Sequence, residues 1–295
     1  MDPADPLGAF VVTIADYSRE ATEACLSVLM ELMTLLGEDR VASVVIGGLV
    51  PRLLLGEMGQ NHAGTLDIDL ALDAGRIPLR SYRTILQRLQ EHGYEMINPQ
   101  QPFRFSRVVG NPSGAIRVEV DFLASPDEGA GKGHRHQRIQ GLQAHKLPGC
   151  DLAFQQMRKV RIQGVLPEGG TIACEIQVAD AVPFLVLKGL ALAQRMKAKD
   201  AYDIYYVIRY VPGGALQLVE LFQPFLTHDL VRQALQAIAD RFATLESVGP
   251  LWVADFYAED GETRQIRLRD AFERVNQLVE ALGFHGLQPS ARSPG

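Results

Sequence analysis

Two aspartates, Asp67 and Asp69, stand one residue apart in the run Thr65 to Ala71, TLDIDLA. In an extended chain side chains alternate, so the two carboxylates share one face while Leu66, Ile68 and Leu70 share the other. With the apolar set turned to a core, the carboxylates project side by side. Such a pair can hold one or two Mg²⁺ ions that bridge to phosphates. Upstream, Gly47-Gly48 ends the apolar, β-branched run Val41 to Ile46. A glycine turn lets a phosphate come close to backbone N–H groups, and the segment Leu49 to Leu55 after it reads as a helical piece with a positive N-terminus. His62 and Thr65 in NHAGT offer a ring and a hydroxyl to the same phosphate. Together these parts suit a site that grips a nucleoside triphosphate. Each has a plainer alternative: a tight turn for the glycines, a solvated strand face for the aspartates and loop capping for His62 and Thr65.

A third carboxylate comes from AIRVEVDFL, Ala115 to Leu123, where Glu119 and Asp121 share a face. If that strand lies beside Thr65 to Ala71, Asp121 joins Asp67 and Asp69. It then completes the metal that activates an attacking hydroxyl, or serves as general base. Glu119 reads as solvated. Cations come from VLKGLALAQRMKAKDAYDIYYVI. If Phe184 to Lys199 is one helix, Lys188, Arg195 and Lys199 fall on nearly one side at about 100° per residue and could hold a triphosphate. Asp200 and Asp203 would orient a lysine or the nucleotide. The alternative is a basic surface face, with Lys199 and Asp203 as an exposed i,i+4 pair. Tyr202, Tyr205 and Tyr206 read as packing residues.

Stepwise along the chain, periodicity predicts a helix from Tyr17 to Gly37 and another from Leu79 to His92, with Gly93 as its stop. Phe10 to Ile14 suits a short strand. Phe103 to Val109 and Ala115 to Leu123 read as strands joined by a turn at Gly110-Asn111-Pro112-Ser113-Gly114. Residues 124 to 150, with His134, Arg135, His136, Arg138, His145 and Lys146, read as an irregular loop beside the site. Their spacing matches no standard zinc site, though the cations could touch a nucleic-acid backbone. Leu152 to Leu166 and Thr171 to Val178 are two strands, or a helix and a strand. From Val182 onward the patterns are helical: one or two helices to Arg209, then Leu216 to Phe225, Leu230 to Leu245 and Arg264 to Leu282. The expected fold class is α+β, with an α/β part over residues 1–180 and a helical part over 181–295.

The totals set outer bounds. The chain has 295 residues, 47% of them hydrophobic and 22% charged, the profile of a soluble globular protein. A formal net charge of −6 gives no global pull toward nucleic acid or anionic membrane, so any RNA contact needs a local basic patch. The three cysteines, Cys25, Cys150 and Cys174, are few and widely spaced, which fits a reducing compartment. MDPADPLGAF lacks a signal-peptide pattern, and no apolar run is long enough for a bilayer. The expected location is the cytoplasm.

The ordered set Gly47-Gly48, Asp67-x-Asp69, then Asp121 resembles the polymerase-β-type nucleotidyltransferase superfamily. The downstream Lys188 and Lys199-Asp200-Ala201-Tyr202-Asp203 narrow the resemblance to the AbiEii/AbiGii abortive-infection toxins, the MenT-like enzymes among them. It extends over roughly residues 40 to 210. The resemblance implies a mixed sheet flanked by helices with a helical C-terminal part. It also implies Mg²⁺-dependent transfer of a nucleotide from an NTP, with Asp67, Asp69 and Asp121 as the carboxylates and Lys188 on the triphosphate. It further implies a tRNA 3′ end as acceptor for some members, and a separately encoded antitoxin. Two positions depart from the pattern: Leu49 stands where many relatives carry Ser or Thr, and Ala63 where an Arg is common. Two other functions are consistent with these residues: transfer to a small molecule such as an aminoglycoside, and a non-catalytic nucleotide- or partner-binding module.

Overall fold

The carboxylate strand lies inside a mixed sheet, with paired strands on both sides. A computed structural model of the chain describes residues 12–73, 75–77, 79–111, 114–126, 136–139 and 142–287. In chain order the elements are α1 (Arg19–Leu36), β1 (Ser43–Ile46), α2 (Val50–Leu54), β2 (Asp67–Leu72), α3 (Leu79–Glu91), β3 (Glu95–Met96), β4 (Arg104–Asn111), β5 (Gly114–Ala124), β6 (His136–Ile139), β7 (Leu142–Lys146), α4 (Cys150–Gln155), β8 (Met157–Val165) and β9 (Thr171–Ala179). Helices follow: α5 (Ala181–Gln194), α6 (Ala198–Tyr210), α7 (Gly214–Phe222), α8 (Asp229–Arg241), α9 (Val248–Tyr257) and α10 (Gly261–Ala281). The fold is α+β, a mixed sheet flanked by helices with a helical C-terminal part.

The nine strands run in the order β3-β4-β5-β2-β1-β9-β8, with β7 joined to β5 and β6 to β7. β2 pairs antiparallel with β1 and parallel with β5. Alternation then assigns the faces. Ile68, Leu70, Val120 and Phe122 are fully buried on the face away from Asp67, Asp69 and Asp121. Arg107, on that same apolar face, reaches Glu31 of α1 with Nε at 3.0 Å. So α1 covers the apolar side. Its start is set by Ser18, whose hydroxyl accepts the Ala21 N–H at 3.0 Å, and its end by Gly37 at φ 59°. α5 begins directly after β9, capped by the Asp180 carboxylate, which accepts the Ala181 N–H at 2.7 Å. One apolar cluster runs without a break from α1 and the sheet into the helices after Asp180.

Several expectations change. The run Phe184 to Lys199 is two helices, because the backbone at Arg195 turns extended (φ −137°, ψ 149°); Lys188 therefore lies on α5 and Lys199 on α6. The loop expected over 124 to 150 contains β7, whose Leu142 and Ala144 are fully buried and which pairs with β5 at Leu123↔His145. β7 takes up the edge of β5 that β4 leaves beyond Arg104↔Asp121. Ile14 opens a 3₁₀ turn rather than ending a strand. The ambiguous segment from Leu152 resolves as the end of α4 followed by β8. Thr65 and Leu66 precede β2. Phe10, Val11, Pro112, Ser113, His134, Arg135 and the tail from Gln288 lie outside the described residues.

Candidate active site

The sheet register brings the three aspartates to one place. On adjacent parallel strands Asp69 pairs with Asp121 and Asp67 with Glu119, and partners in such a pair project from the same face about 4.8 Å apart. β1 ends opposite this point, at Ile46↔Asp69. There Gly47 turns the chain at φ 70°. A Cβ at Gly47 would stand 1.9 Å from Asp69 Oδ2, and one at Gly48 would stand 2.5 Å from Thr65 Oγ1. Both glycines are therefore required by close approach, and Gly47 also by its backbone angle. Thr65 donates its hydroxyl to Asp67 Oδ1 at 2.5 Å, and its own N–H is held by Thr22 Oγ1 at 3.3 Å. Its hydroxyl, expected to face a phosphate, thus orients a carboxylate.

Asp69 reaches solvent at its edge but is surrounded by protein. Loss of hydration, with the negative fields of Asp67 and Asp121, pushes its carboxyl up to about 8. Among the described residues no cation forms an ion pair with Asp69. A set of hard carboxylate oxygens that repel one another in this way is the donor chemistry a divalent cation such as Mg²⁺ takes, so the residues fit a metal in kind. Among the described residues no three carboxylate, histidine or cysteine side chains already converge at metal-binding distances. Asp121 shows why. Arg104, its cross-strand partner on β4, grips both its oxygens, Nε to Oδ1 at 2.7 Å and Nη2 to Oδ2 at 2.6 Å. Glu119 is partly solvated, as expected, and 3.8 Å from Arg104.

The cations assemble around two buried aspartates. Lys188 Nζ lies 2.9 Å from Asp200 Oδ1 and 2.7 Å from Asp203 Oδ2. Lys199 Nζ lies 2.6 Å from Asp203 Oδ1, and Arg195 makes bonds of 2.8 and 3.0 Å to Asp200. The expected exposed i,i+4 pair is thus an interior one: Asp203 is fully buried and Asp200 1% exposed. Burial opposes the charge on Asp203, but Lys188, Lys199 and His62 outweigh it and hold the carboxyl well below the usual range. Burial likewise opposes the charge on Lys188, and Asp203 and Asp200 more than offset it. The fields of Lys188 and Arg195 reach Asp69 and oppose the rise of its carboxyl.

His62 is enclosed rather than phosphate-facing. Its Nδ1 accepts the Gly64 N–H at 3.1 Å, which leaves Nε2–H to donate to Asp203 Oδ1 at 2.9 Å. Burial and the nearby Lys199 draw its pKa down to about 4, against the pull of Asp203. It ties the loop before β2 to α6, beside Tyr202 and Tyr206. Tyr202, Tyr205 and Tyr206 are packed inside, as expected. Leu49 is 1% exposed and belongs to the core, and the Ala63 N–H donates to Tyr202 Oη at 2.9 Å.

Two residues were not singled out from sequence. Tyr17, at the entry to α1, carries its ring 5.2 Å from Lys199 Nζ, and burial with Asp203 and Asp67 pushes its hydroxyl up to about 12. Arg104 could have been found: counting outward from the hairpin pair Asn111↔Gly114 leads to Arg104↔Asp121.

No curated protein matches the sequence. A solved structure titled as a STING-associated CdnE c-di-GMP synthase from Capnocytophaga granulosa aligns at 12% identity over 90% of this chain and 83% of that one, with a TM-score of 0.27. The family described as "Nucleotidyl transferase AbiEii toxin, Type IV TA system" matches residues 64–273, a span that holds Asp67, Asp69, Asp121, Lys188 and Asp203. The chain belongs to the AbiEii nucleotidyl transferase toxin family of Type IV toxin–antitoxin systems.

Proposed function

We propose that this enzyme uses Mg²⁺ and an NTP to place a nucleotide on an RNA hydroxyl, the 3′ end of a tRNA, and that a separately encoded antitoxin restrains it. The observation that carries the reading is the register pair Asp69↔Asp121 on parallel strands, with Gly47 pressed against Asp69. Asp67, Asp69 and Asp121 would hold the metal. When bound, a divalent ion neutralises phosphate charge and lowers the pKa of a coordinated hydroxyl. Gly47 and Gly48 leave phosphate oxygens room beside the backbone. Lys188 and Lys199, held by Asp200 and Asp203, would supply the positive charge for the β and γ phosphates. Thr65 fixes the Asp67 carboxylate. An Asp121 oxygen receives the acceptor proton. The acceptor oxygen bonds to the α-phosphorus in line, and the bond to the β-phosphate oxygen breaks to release pyrophosphate.

In this reading residues 1–180 carry the metal and phosphate chemistry, and residues 181–295 supply the cations and the wall of the cleft. Among the described residues no helix is long and apolar enough to cross a membrane, and a cytoplasmic site of action accords with RNA and NTP as substrates. The test uses each of the four α-phosphate-labelled NTPs with Mg²⁺ and total cellular RNA, with Asp69→Asn in parallel. Label entering a tRNA-sized band with the wild type alone is expected. Equal labelling by Asp69→Asn overturns the site, and label on a small molecule or on protein overturns the acceptor.

A further inference from the structure

We propose that Arg104 is a built-in counter-ion of Asp121 that must leave the carboxylate before a divalent cation binds there. The inference rests on the metal reading of the three aspartates. Its ground is geometric. Both oxygens of Asp121 are in the guanidinium fork, at 2.7 and 2.6 Å, which takes one lone-pair direction on each oxygen and sets a positive charge against the carboxylate that a second cation would have to approach. Asp121 is buried, 8% exposed, so it needs a cationic partner whenever it is ionised. The Arg104 side chain is 33% exposed, so one side of the guanidinium faces solvent. Glu119, 3.8 Å from the same guanidinium, is a second anion ready to receive it. Backbone pairing of β4 with β5 fixes Arg104 opposite Asp121, so the arginine stays at the rim of the site when it lets go. Arg104 is thus a positioning residue that trades places with the metal.

A merely structural salt bridge makes a different prediction. Its loss would weaken the fold equally with and without metal and leave metal affinity alone. Under the exchange, removing Arg104 takes away a competitor. The experiment titrates Mg²⁺, without nucleotide, into the full-length wild type, Arg104→Gln, Arg104→Lys and Asp67→Asn, read by calorimetry and by thermal midpoint. Arg104→Gln is expected to bind Mg²⁺ about tenfold more tightly, the scale of one charge-assisted hydrogen bond. Its thermal midpoint is expected to fall without metal and to recover more than that of the wild type on adding Mg²⁺. Arg104→Lys keeps the charge but loses the fork and is expected to move the same way by less. It carries the test if the glutamine variant does not fold. In the wild type the Arg104 Nε–H resonance should shift as Mg²⁺ binds. Wild-type binding with unchanged or weaker affinity in the variants overturns the exchange and leaves the metal reading standing. Absence of binding to the wild type, equal to Asp67→Asn, overturns both.

Discussion

Gly47→Ala and Gly56→Ala form a matched pair that isolates the contact between the glycine turn and Asp69. Gly47 and Gly56 both have positive φ, 70° and 57°, so an alanine at either incurs about 1–2 kcal/mol of backbone strain. Beyond that the two differ. A Cβ at Gly56 meets nothing within 4 Å, whereas one at Gly47 lies 1.9 Å from Asp69 Oδ2, 2.7 Å from Cγ and 2.9 Å from Cβ. Rotating the carboxylate clears only its oxygen; the closeness of Cγ and Cβ means that β2 or the turn itself must move. Overpacking of this kind adds about 1–3 kcal/mol. Reaching an ordinary contact distance moves the carboxylate by roughly 1 Å, a displacement that costs on the order of a hundredfold in rate where a group must be positioned. Urea unfolding and nucleotide incorporation are measured on both variants. Gly56→Ala should lose about 1–2 kcal/mol and keep wild-type activity. Gly47→Ala should lose more stability and about two orders of magnitude in kcat/KM. Equal activity in the two variants would refute the claim that the turn sets the position of Asp69.

Three further outcomes are expected. Asp69→Asn should abolish transfer yet stabilise the metal-free protein at pH 8, by on the order of 1–3 kcal/mol. The raised carboxyl, at about 8, makes the wild type lose stability as pH rises toward and through that value, and the amide removes this loss; a less stable variant under those conditions sinks the argument. His62, drawn down to about 4, works in the other sense. Its contribution is present above the ordinary histidine pKa of about 6.5 and is lost as pH falls from there to about 4, so the stability advantage of wild type over His62→Gln should narrow by about 3 kcal/mol across that window. A constant difference, measured by urea unfolding at each pH, would contradict it. Leu49→Ser, which puts a hydroxyl after the glycine pair, should raise no activity and should cost about 2–5 kcal/mol of stability, because Leu49 is a core side chain at 1% exposure; a gain in transfer would show that the position faces the phosphates.

The local features of this site were open to reading from sequence because they follow from local rules. Alternation put Asp67 and Asp69 on one face of β2 and Asp121 on one face of β5, the glycine pair marked the end of β1, and periodicity outlined α1 and α3. The helical character of the C-terminal part followed from the same periods. What only the tertiary structure decided was pairing. That β2 and β5 run parallel with Asp69 opposite Asp121 depends on which strands meet, and no spacing along the chain states it. β7 was hidden for the same reason, since its short run becomes a strand only by pairing with β5 and β6. The break at Arg195 moves Lys199 to a second helix, and across it Lys188 and Arg195 both meet Asp200, a convergence that helical periodicity does not state. Charge partners were the least visible part. Lys188, Arg195 and Lys199 read along the chain as a basic row on one helix, with Lys199 and Asp203 as a surface pair or Asp200 and Asp203 orienting a lysine; in three dimensions each cation meets a buried aspartate, because a charge inside a protein keeps its ionised form only beside its opposite.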